Sequence, residues 1–208
     1  MKAESLIFDI DGTLWDTRAL VAEGYNAQLE SEGYGRYAVT AEDLTPLFGK
    51  SLPEMADVLF ADLPKPFRYE LLGRCMEHEI KHLEQDPCDV GYPKVKETLE
   101  ELAKRYRLFI VSNSQQGYPE LVIEKMGLSH LIQAHLCYGD TLTSKGQTIL
   151  RLIRENNITS TVYIGDTQGD YLATREAGIP FIFAAFGLGQ AESWEEKIDS
   201  FDELLNLL

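Results

Sequence analysis

Two aspartates near the start of the chain, Asp9 and Asp11, have the type and spacing to do chemistry together. They lie at the end of the apolar segment 4–10, which predicts a buried strand. Residues two apart on an extended chain point to the same side, so we expect both carboxylates to face one point. Two adjacent negative charges oppose each other's ionisation, and a divalent cation held between them removes that cost.

Two more carboxylates, Asp166 and Asp170, follow the predicted strand 161–165, and Lys145 opens a predicted helix. In an open α/β sheet, ligands bind at the carboxyl ends of the strands, which meet at one edge. Three or four carboxylates around a point, with a single lysine, describe an Mg²⁺ site with an anion beside it. The pair Ser112 and Asn113 ends another predicted strand at the same edge.

The order of the predicted elements explains how these residues come together. From residue 91 onward helices and strands alternate, which is typical of a parallel sheet with helices on both faces. Residues 18–85 carry only helical patterns and directly follow the first strand, so we predict an inserted α-helical cap domain. The predicted division is an α/β core of residues 1–17 and 86–208 and a cap of residues 18–85. The predicted strands are 4–10, 107–112, 134–138, 161–165 and 180–185, and the helices are 19–32, 67–84, 93–105, 118–126, 145–156 and 168–177.

Four motifs resemble those of the haloacid dehalogenase superfamily, in its phosphatase branch with a helical cap after the first motif. The resemblance covers the whole chain and implies a Rossmann-like fold for the core. The matching segments are DIDGTLWDT at 9–17, VSNS at 111–114, TSKGQTI at 143–149 and GDTQGDYLATREAGIP at 165–180.

The resemblance implies that Asp9 is the nucleophile, forming an aspartyl-phosphate, and that Asp11 is first general acid and then general base. Dehalogenases and phosphonoacetaldehyde hydrolases resemble this fold but lack an acid two residues after the nucleophile, so Asp11 favours phosphate-ester chemistry. The implied Mg²⁺ ligands are Asp9, the Asp11 backbone carbonyl and Asp166, with Asp170 in support. The implied phosphate-binding residues are Ser112, Asn113 and Lys145.

The function predicted from these features is Mg²⁺-dependent hydrolysis of a small phosphomonoester, such as a phosphoglycolate-like compound or a sugar phosphate. A phosphosugar mutase of the β-phosphoglucomutase kind shares every motif and stays open as an alternative. So does a non-catalytic module that binds metal and phosphate. Lys50, after Phe48 and Gly49 in the cap, is either an ordinary surface lysine or a residue that selects the substrate, since relatives often place such a residue in a cap loop.

The composition of the chain limits the kinds of partner that it can bind. The 208 residues carry a net charge of -15, and a chain this acidic lacks the positive surface that nucleic acids and anionic membranes require. No apolar run approaches the ~20 residues of a membrane span. Cys75, Cys88 and Cys137 form no CxxC pair, which favours free thiols in a reducing compartment and a cytoplasmic location. The sequence carries no signal for an oligomeric state.

Three other patterns are incomplete. A calcium loop counted from Asp9 has Leu14 and Leu20 where an EF-hand needs Gly and Glu. Residues 78–82, HEIKH, match the zinc-peptidase pattern but lack a third histidine at the spacing of that class, and we interpret them as a helix surface. Residues 187–189, GLG, lack the third glycine and the following helix of a dinucleotide-binding loop.

Two residues depart from the family's motifs. Trp15 stands where relatives often carry a smaller apolar residue, and we interpret it as a core side chain. Gly146 follows Lys145 where relatives often have proline, which we expect to loosen the start of that helix.

Overall fold

A computed structural model describes residues 3–87 and 90–208, so Cys88 lies outside the described residues. The chain divides into two compact units, Met1–Asp16 with Val90–Leu208, and Thr17–Asp89. The first is an α/β unit and the second is entirely helical in its described part. No helix in the two described ranges is long and apolar enough to cross a membrane.

The α/β unit is built on one parallel sheet, six-stranded over the residues described, in the order β3-β2-β1-β4-β5-β6. This is the strand order of doubly wound nucleotide-binding folds, whose order reverses between β1 and β4. The predicted fold class is confirmed, and the reversal point is where a ligand is expected. The strands are β1 (Ser5–Phe8), β2 (Arg107–Ser112), β3 (Ile132–Cys137), β4 (Thr161–Gly165), β5 (Phe181–Ala184) and β6 (Glu196–Ile198).

Alternating side chains of the central strands fill cores on both faces of this sheet. On one face, Ile7, Phe109 and Phe181 pack in a cluster with residues of the helices Lys145–Glu155 and Gln168–Ala177. On the other face, the Phe8 ring lies 5.9 Å from the Phe201 ring, near the end of the chain. The helices of this unit are α5 (Val95–Leu102), α6 (Tyr118–Lys125), α7 (Tyr138–Thr141), α8 (Lys145–Glu155), α9 (Gln168–Ala177) and α10 (Leu204–Leu207).

Short elements account for most differences from the prediction. β6 has three residues with the first two exposed, so it lacks the apolar run that marks a buried strand. The four-residue helices α7 and α10 are too short to show helical periodicity. β1 ends at Phe8, so Asp9 follows the strand instead of lying within it.

The helical unit has its own core, formed by the apolar faces of its helices and including Tyr25, Leu44, Phe60 and Leu72. Two capping boxes begin helices of this unit, with the Thr40 and Ser51 backbone N–H groups donating to Asp43 and Glu54. The helices are α1 (Arg18–Ser31), α2 (Ala41–Leu44), α3 (Leu52–Leu59) and α4 (Lys65–Gln85).

Two glycines of this unit make a matched test of helix packing. Gly73 lies in α4 with nothing within 4 Å of the position its Cβ would take, whereas a Cβ on Gly24 in α1 would lie 3.2 Å from Glu79 Cα. We expect Gly73→Ala to raise the free energy of unfolding by about 0.5–1 kcal/mol, because alanine loses less backbone entropy in a helix.

We expect Gly24→Ala to lower the same quantity, because the added methyl forces α1 away from α4 by a few tenths of an ångström. Urea unfolding of both variants and wild type, followed by circular dichroism, measures the difference. Equal stabilisation by the two alanines would show that Gly24 is not needed for this close approach.

Candidate active site

Three buried carboxylates lie together at the edge of the sheet where β1 and β4 end. Asp9, Asp166 and Asp170 each offer one oxygen, and these oxygens lie within 4.8 Å of one another. The Lys145 ammonium donates to Asp9 Oδ1 at 2.8 Å and to Asp170 Oδ1 at 2.5 Å. Four of the residues singled out in the sequence therefore meet in one cluster.

The start of α9 positions Asp170. Its backbone N–H donates to Thr167 Oγ1 at 3.2 Å, and its Oδ2 accepts from the Thr167 backbone N–H at 3.0 Å, forming a capping box. One oxygen of Asp170 thus caps the start of α9, and the other accepts a hydrogen bond from Lys145. Gly165 makes room for this arrangement, because a Cβ there would lie 2.7 Å from Asp170 Cγ.

Lys145 is the first residue of α8, after the Ser144 cap, whose hydroxyl accepts from the Gln147 backbone N–H. Gly146, where relatives often have proline, has a packing role that the motif comparison did not indicate. A Cβ on Gly146 would lie 2.4 Å from Glu176 Oε2, so glycine lets α8 begin close against α9. The lysine is 6% exposed, and its charge is directed into the carboxylate cluster.

The segment 187–189 holds Asp166, a role that the sequence analysis missed. The backbone N–H groups of Leu188 and Gly189 donate to Asp166 Oδ2 at 2.7 and 3.1 Å. A Cβ on Gly187 would lie 2.3 Å from the Gly12 carbonyl oxygen, so this approach requires glycine. The two backbone donors of this loop therefore bind a carboxylate of the same chain.

The second oxygen of Asp166 supplies a direct test of whether a cation fits. Asp166 is fully buried, and no group of residues 3–87 or 90–208 donates a hydrogen bond to its Oδ1. A buried acceptor left unsatisfied costs about 1–3 kcal/mol. A cation coordinated by Asp166 would satisfy this oxygen, and hard oxygen donors of this kind suit Mg²⁺.

Burial and like charge make it unfavourable to keep both Asp9 and Asp166 ionised. Burial, and then the neighbouring Asp170, raise the pKa of Asp9 well above its ordinary value and that of Asp166 to about 7. Burial alone would lower the pKa of Lys145, but the charges of Asp170 and Asp9 outweigh it and raise that pKa. One ammonium lies beside three carboxyl groups, and a divalent cation would add positive charge and favour the ionised forms of Asp9 and Asp166.

Asp11 lies outside this group of three carboxylates and makes its own contacts. Its Oδ1 accepts from Trp15 Nε1 at 3.0 Å and from the Tyr118 hydroxyl at 2.6 Å. Contrary to expectation, strand alternation does not orient the two aspartates, because β1 ends at Phe8 before either of them. Trp15 is buried in the core, as interpreted, but it also donates to a candidate catalytic group.

The remaining predicted residues lie at two places. Ser112 is buried at the end of β2, beside β1, and its hydroxyl accepts from the Ser114 backbone N–H at 3.2 Å; Asn113 follows it. Lys50 lies in the helical unit, exposed, between α2 and α3.

The zinc-peptidase pattern at 78–82 lies in α4. There Glu79 is buried, and His82 Nε2 lies 3.3 Å from Glu23 Oε2. Over residues 3–87 and 90–208, the only cluster of three or more potential metal ligands is Asp9, Asp166 and Asp170. The structure therefore favours the sheet edge over the helix as a metal site.

Comparison with known proteins identifies similar chains. Residues 6–184 match the model of the family described as haloacid dehalogenase-like hydrolase. The chain is 31% identical over 193 residues to a phosphoglycolate phosphatase of Agrobacterium fabrum, covering 87% of this chain and 80% of that protein. It is 29% identical over 204 residues to a phosphoglycolate phosphatase of Xanthomonas campestris, covering 93% and 90%.

Solved structures share the fold at lower identity. A haloacid dehalogenase-like family hydrolase from Streptococcus pneumoniae superposes with a TM-score of 0.82 at 20% identity, covering 99% of this chain and 98% of that chain. CbbY from Rhodobacter sphaeroides, solved with xylulose-1,5-bisphosphate, superposes with a TM-score of 0.76 at 18% identity, covering 98% and 96%.

We expect Mg²⁺ to stabilise the protein through Asp166, most strongly above neutral pH. Because the pKa of Asp166 is raised from 3.8 to about 7, the metal-free native state binds more protons than the unfolded chain between these values. The free energy of unfolding that Asp166 contributes therefore falls as pH rises through that window, and a cation restores it. Tenfold above its dissociation constant, Mg²⁺ should add about 1.4 kcal/mol.

Thermal unfolding with Mg²⁺ or with chelator, at about pH 8 and about pH 5, measures this effect. Asp166→Asn should lose most of the Mg²⁺-dependent rise in melting temperature. The exposed control Asp199→Asn, which removes a carboxylate paired with Lys197, should keep it. An equal rise in both variants would show that the cation binds elsewhere.

Proposed function

The chain belongs to the haloacid dehalogenase-like hydrolase family and is a phosphatase. On that premise, we propose that it is an Mg²⁺-dependent hydrolase of small phosphomonoesters that acts through an aspartyl-phosphate. The observation that carries this proposal is the buried cluster of Asp9, Asp166, Asp170 and Lys145 at the reversal point of the sheet. It combines a carboxylate nucleophile, a place for a cation and a fixed ammonium.

The proposed reaction has two steps. A carboxylate oxygen of Asp9 attacks phosphorus, and the bond from phosphorus to the leaving oxygen breaks as that oxygen takes a proton from Asp11. Water then attacks the phosphorus of the aspartyl-phosphate and gives a proton to Asp11. The bond from phosphorus to Asp9 breaks, releasing inorganic phosphate and restoring both side chains. Dividing hydrolysis in this way replaces one difficult step by two easier ones.

The cluster supplies the electrostatic part of catalysis. Phosphoryl transfer depends mostly on positioning and on neutralising the charge of the equatorial oxygens. We assign this work to Lys145, with Ser112 and Asn113 as further donors at the end of β2. A Mg²⁺ ion held by Asp9, the Asp11 backbone carbonyl and Asp166, with Asp170 in support, would supply Lewis-acid stabilisation of the phosphoryl group.

Small metabolites are the proposed substrates. Two relatives matched over most of this chain are named phosphoglycolate phosphatases, and a fold neighbour was solved with a sugar bisphosphate. We propose that the helical unit acts as the cap that selects among such esters, with Lys50 as a selecting residue. We also place the enzyme in the cytoplasm, in keeping with the free, buried thiols of Cys75 and Cys137.

We expect wild type to release phosphate, in the presence of Mg²⁺, from at least one member of a panel of small phosphomonoesters. The panel contains phosphoglycolate, sugar phosphates and nucleoside monophosphates, with pyrophosphate as a further phosphate compound. Asp9→Asn should lower kcat by more than about 10³-fold, because the amide is a poor nucleophile. Rapid acid quench and mass spectrometry should place a phosphoryl group on the peptide containing Asp9 in wild type only.

Product analysis separates the alternatives in the same experiment. Transfer of the phosphoryl group back to a sugar would identify a mutase, whereas tight binding of phosphate compounds without turnover would identify a binding module. Turnover that persists in Asp9→Asn would contradict the assignment of the nucleophile.

A separate prediction concerns Lys50. We expect Lys50→Ala to raise KM for the preferred ester about tenfold while changing kcat little, as loss of one charge-assisted hydrogen bond would. Lys81→Ala, which removes another exposed lysine of the helical unit, should leave KM unchanged. Equal KM values for the two variants in steady-state kinetics would show that Lys50 is an ordinary surface residue.

A further inference from the structure

We propose that Trp15 and Tyr118 are positioning residues that hold the carboxylate of Asp11 for both proton transfers, an inference that rests on the proposed function. Both donate to the same oxygen: Trp15 Nε1 reaches Asp11 Oδ1 at 3.0 Å and the Tyr118 hydroxyl reaches it at 2.6 Å. Fixing Oδ1 fixes the direction of Oδ2, because one planar carboxyl group joins the two oxygens.

The two donors are themselves held rigidly. Trp15 is 0% exposed and Tyr118 is 2% exposed, and their rings meet edge to face at 5.7 Å and 70°. This contact is one of the preferred geometries of an aromatic pair. Each ring therefore limits the rotation of the other, and the two donor groups stay aimed at one point.

The backbone connects Trp15 directly to the residue it holds. The Gly12 N–H donates to the Trp15 carbonyl at 2.9 Å, and the Trp15 N–H donates to the Ile10 carbonyl at 3.3 Å. One tight turn thus carries both Asp11 and its first donor. The left-handed backbone of Gly12, with φ of 82°, makes this turn possible.

The second donor comes from a distant part of the sequence. Tyr118 is the first residue of α6, the helix that follows the polar segment after β2, and it succeeds Gly117, whose φ is 88°. A sharp turn after the candidate phosphate-binding residues therefore brings the hydroxyl back to Asp11. The distance of 107 positions in sequence explains why no local motif contains this contact.

The chemistry explains why Asp11 needs such support. In the proposed reaction it gives a proton to the leaving oxygen and later takes one from water, so it must reach two atoms without drifting between steps. A misplacement of about 1 Å can lower a rate about 10²-fold. Trp15 and Tyr118 act through Asp11 and are not assigned any contact with the reacting atoms.

The test compares leaving groups that need a proton with one that does not. An alkyl phosphomonoester turned over by wild type requires protonation of its leaving oxygen, whereas 4-nitrophenyl phosphate releases a stable anion. Tyr118→Phe and Trp15→Phe each remove one donor and keep a ring. We expect each to lower kcat for the alkyl ester about tenfold, and the double variant about 100-fold, with KM changed less than about threefold.

Rapid mixing with 4-nitrophenyl phosphate resolves the two steps. The first turnover should change less than about threefold in rate, since nitrophenolate leaves without a proton. The later steady-state rate should fall, because Asp11 also activates water, so a burst of about one nitrophenolate per enzyme appears in the variants. A purely structural disturbance would slow the burst and the alkyl reaction equally, and that result would overturn the proposal.

Tyr106→Phe is the matched control, since it removes a hydroxyl that donates to the Leu208 carbonyl oxygen in the same unit at 2.7 Å. It should match wild type with both substrates, and thermal unfolding should show that all variants are folded. Unchanged kinetics in folded Tyr118→Phe and Trp15→Phe would overturn this inference alone. A wild type as inactive as Asp9→Asn would overturn the proposed function and this inference with it.

Discussion

The burial of three carboxylates beside one lysine is the constraint on which the rest of the site depends. Asp9, Asp166 and Asp170 are at most 3% exposed, and Lys145 contacts two of them. Burying like charges together is unfavourable, because water no longer screens them. The raised pKa values of Asp9 and Asp166 express that cost. A fold keeps such a cluster only if its backbone holds each side chain firmly.

In Asp170 and Asp166, one carboxylate oxygen accepts hydrogen bonds from the backbone and the other does not. In Asp170, Oδ2 completes the cap of α9 and Oδ1 faces Lys145. In Asp166, Oδ2 accepts two backbone N–H groups, whereas Oδ1 accepts no hydrogen bond from the described residues, and a cation would satisfy it. In each residue the backbone holds one carboxylate oxygen and leaves the other out of that contact, so the positions of both side chains are set before a ligand binds. Such preorganisation is the main source of electrostatic stabilisation in enzymes.

Glycine residues allow the backbone to lie close to these buried carboxylates. A side chain at Gly165 would collide with Asp170, and one at Gly187 would collide with the Gly12 carbonyl oxygen and with Asp166. These positions look like ordinary loop or strand residues in a one-dimensional reading. Their importance follows from the density of backbone around the cluster, where even one methyl group has no space.

The sequence by itself determined the fold class, the order of the large elements and the residues of the carboxylate cluster. Strand and helix periodicity are local properties, and the polar residues that end β1 and β4 follow from them directly. Only the tertiary structure showed that the 187–189 loop holds Asp166, that Gly146 lies against α9, and that Trp15 and Tyr118 meet at Asp11. Contacts that join distant parts of the chain depend on how the elements pack, and no local pattern of residues carries that information.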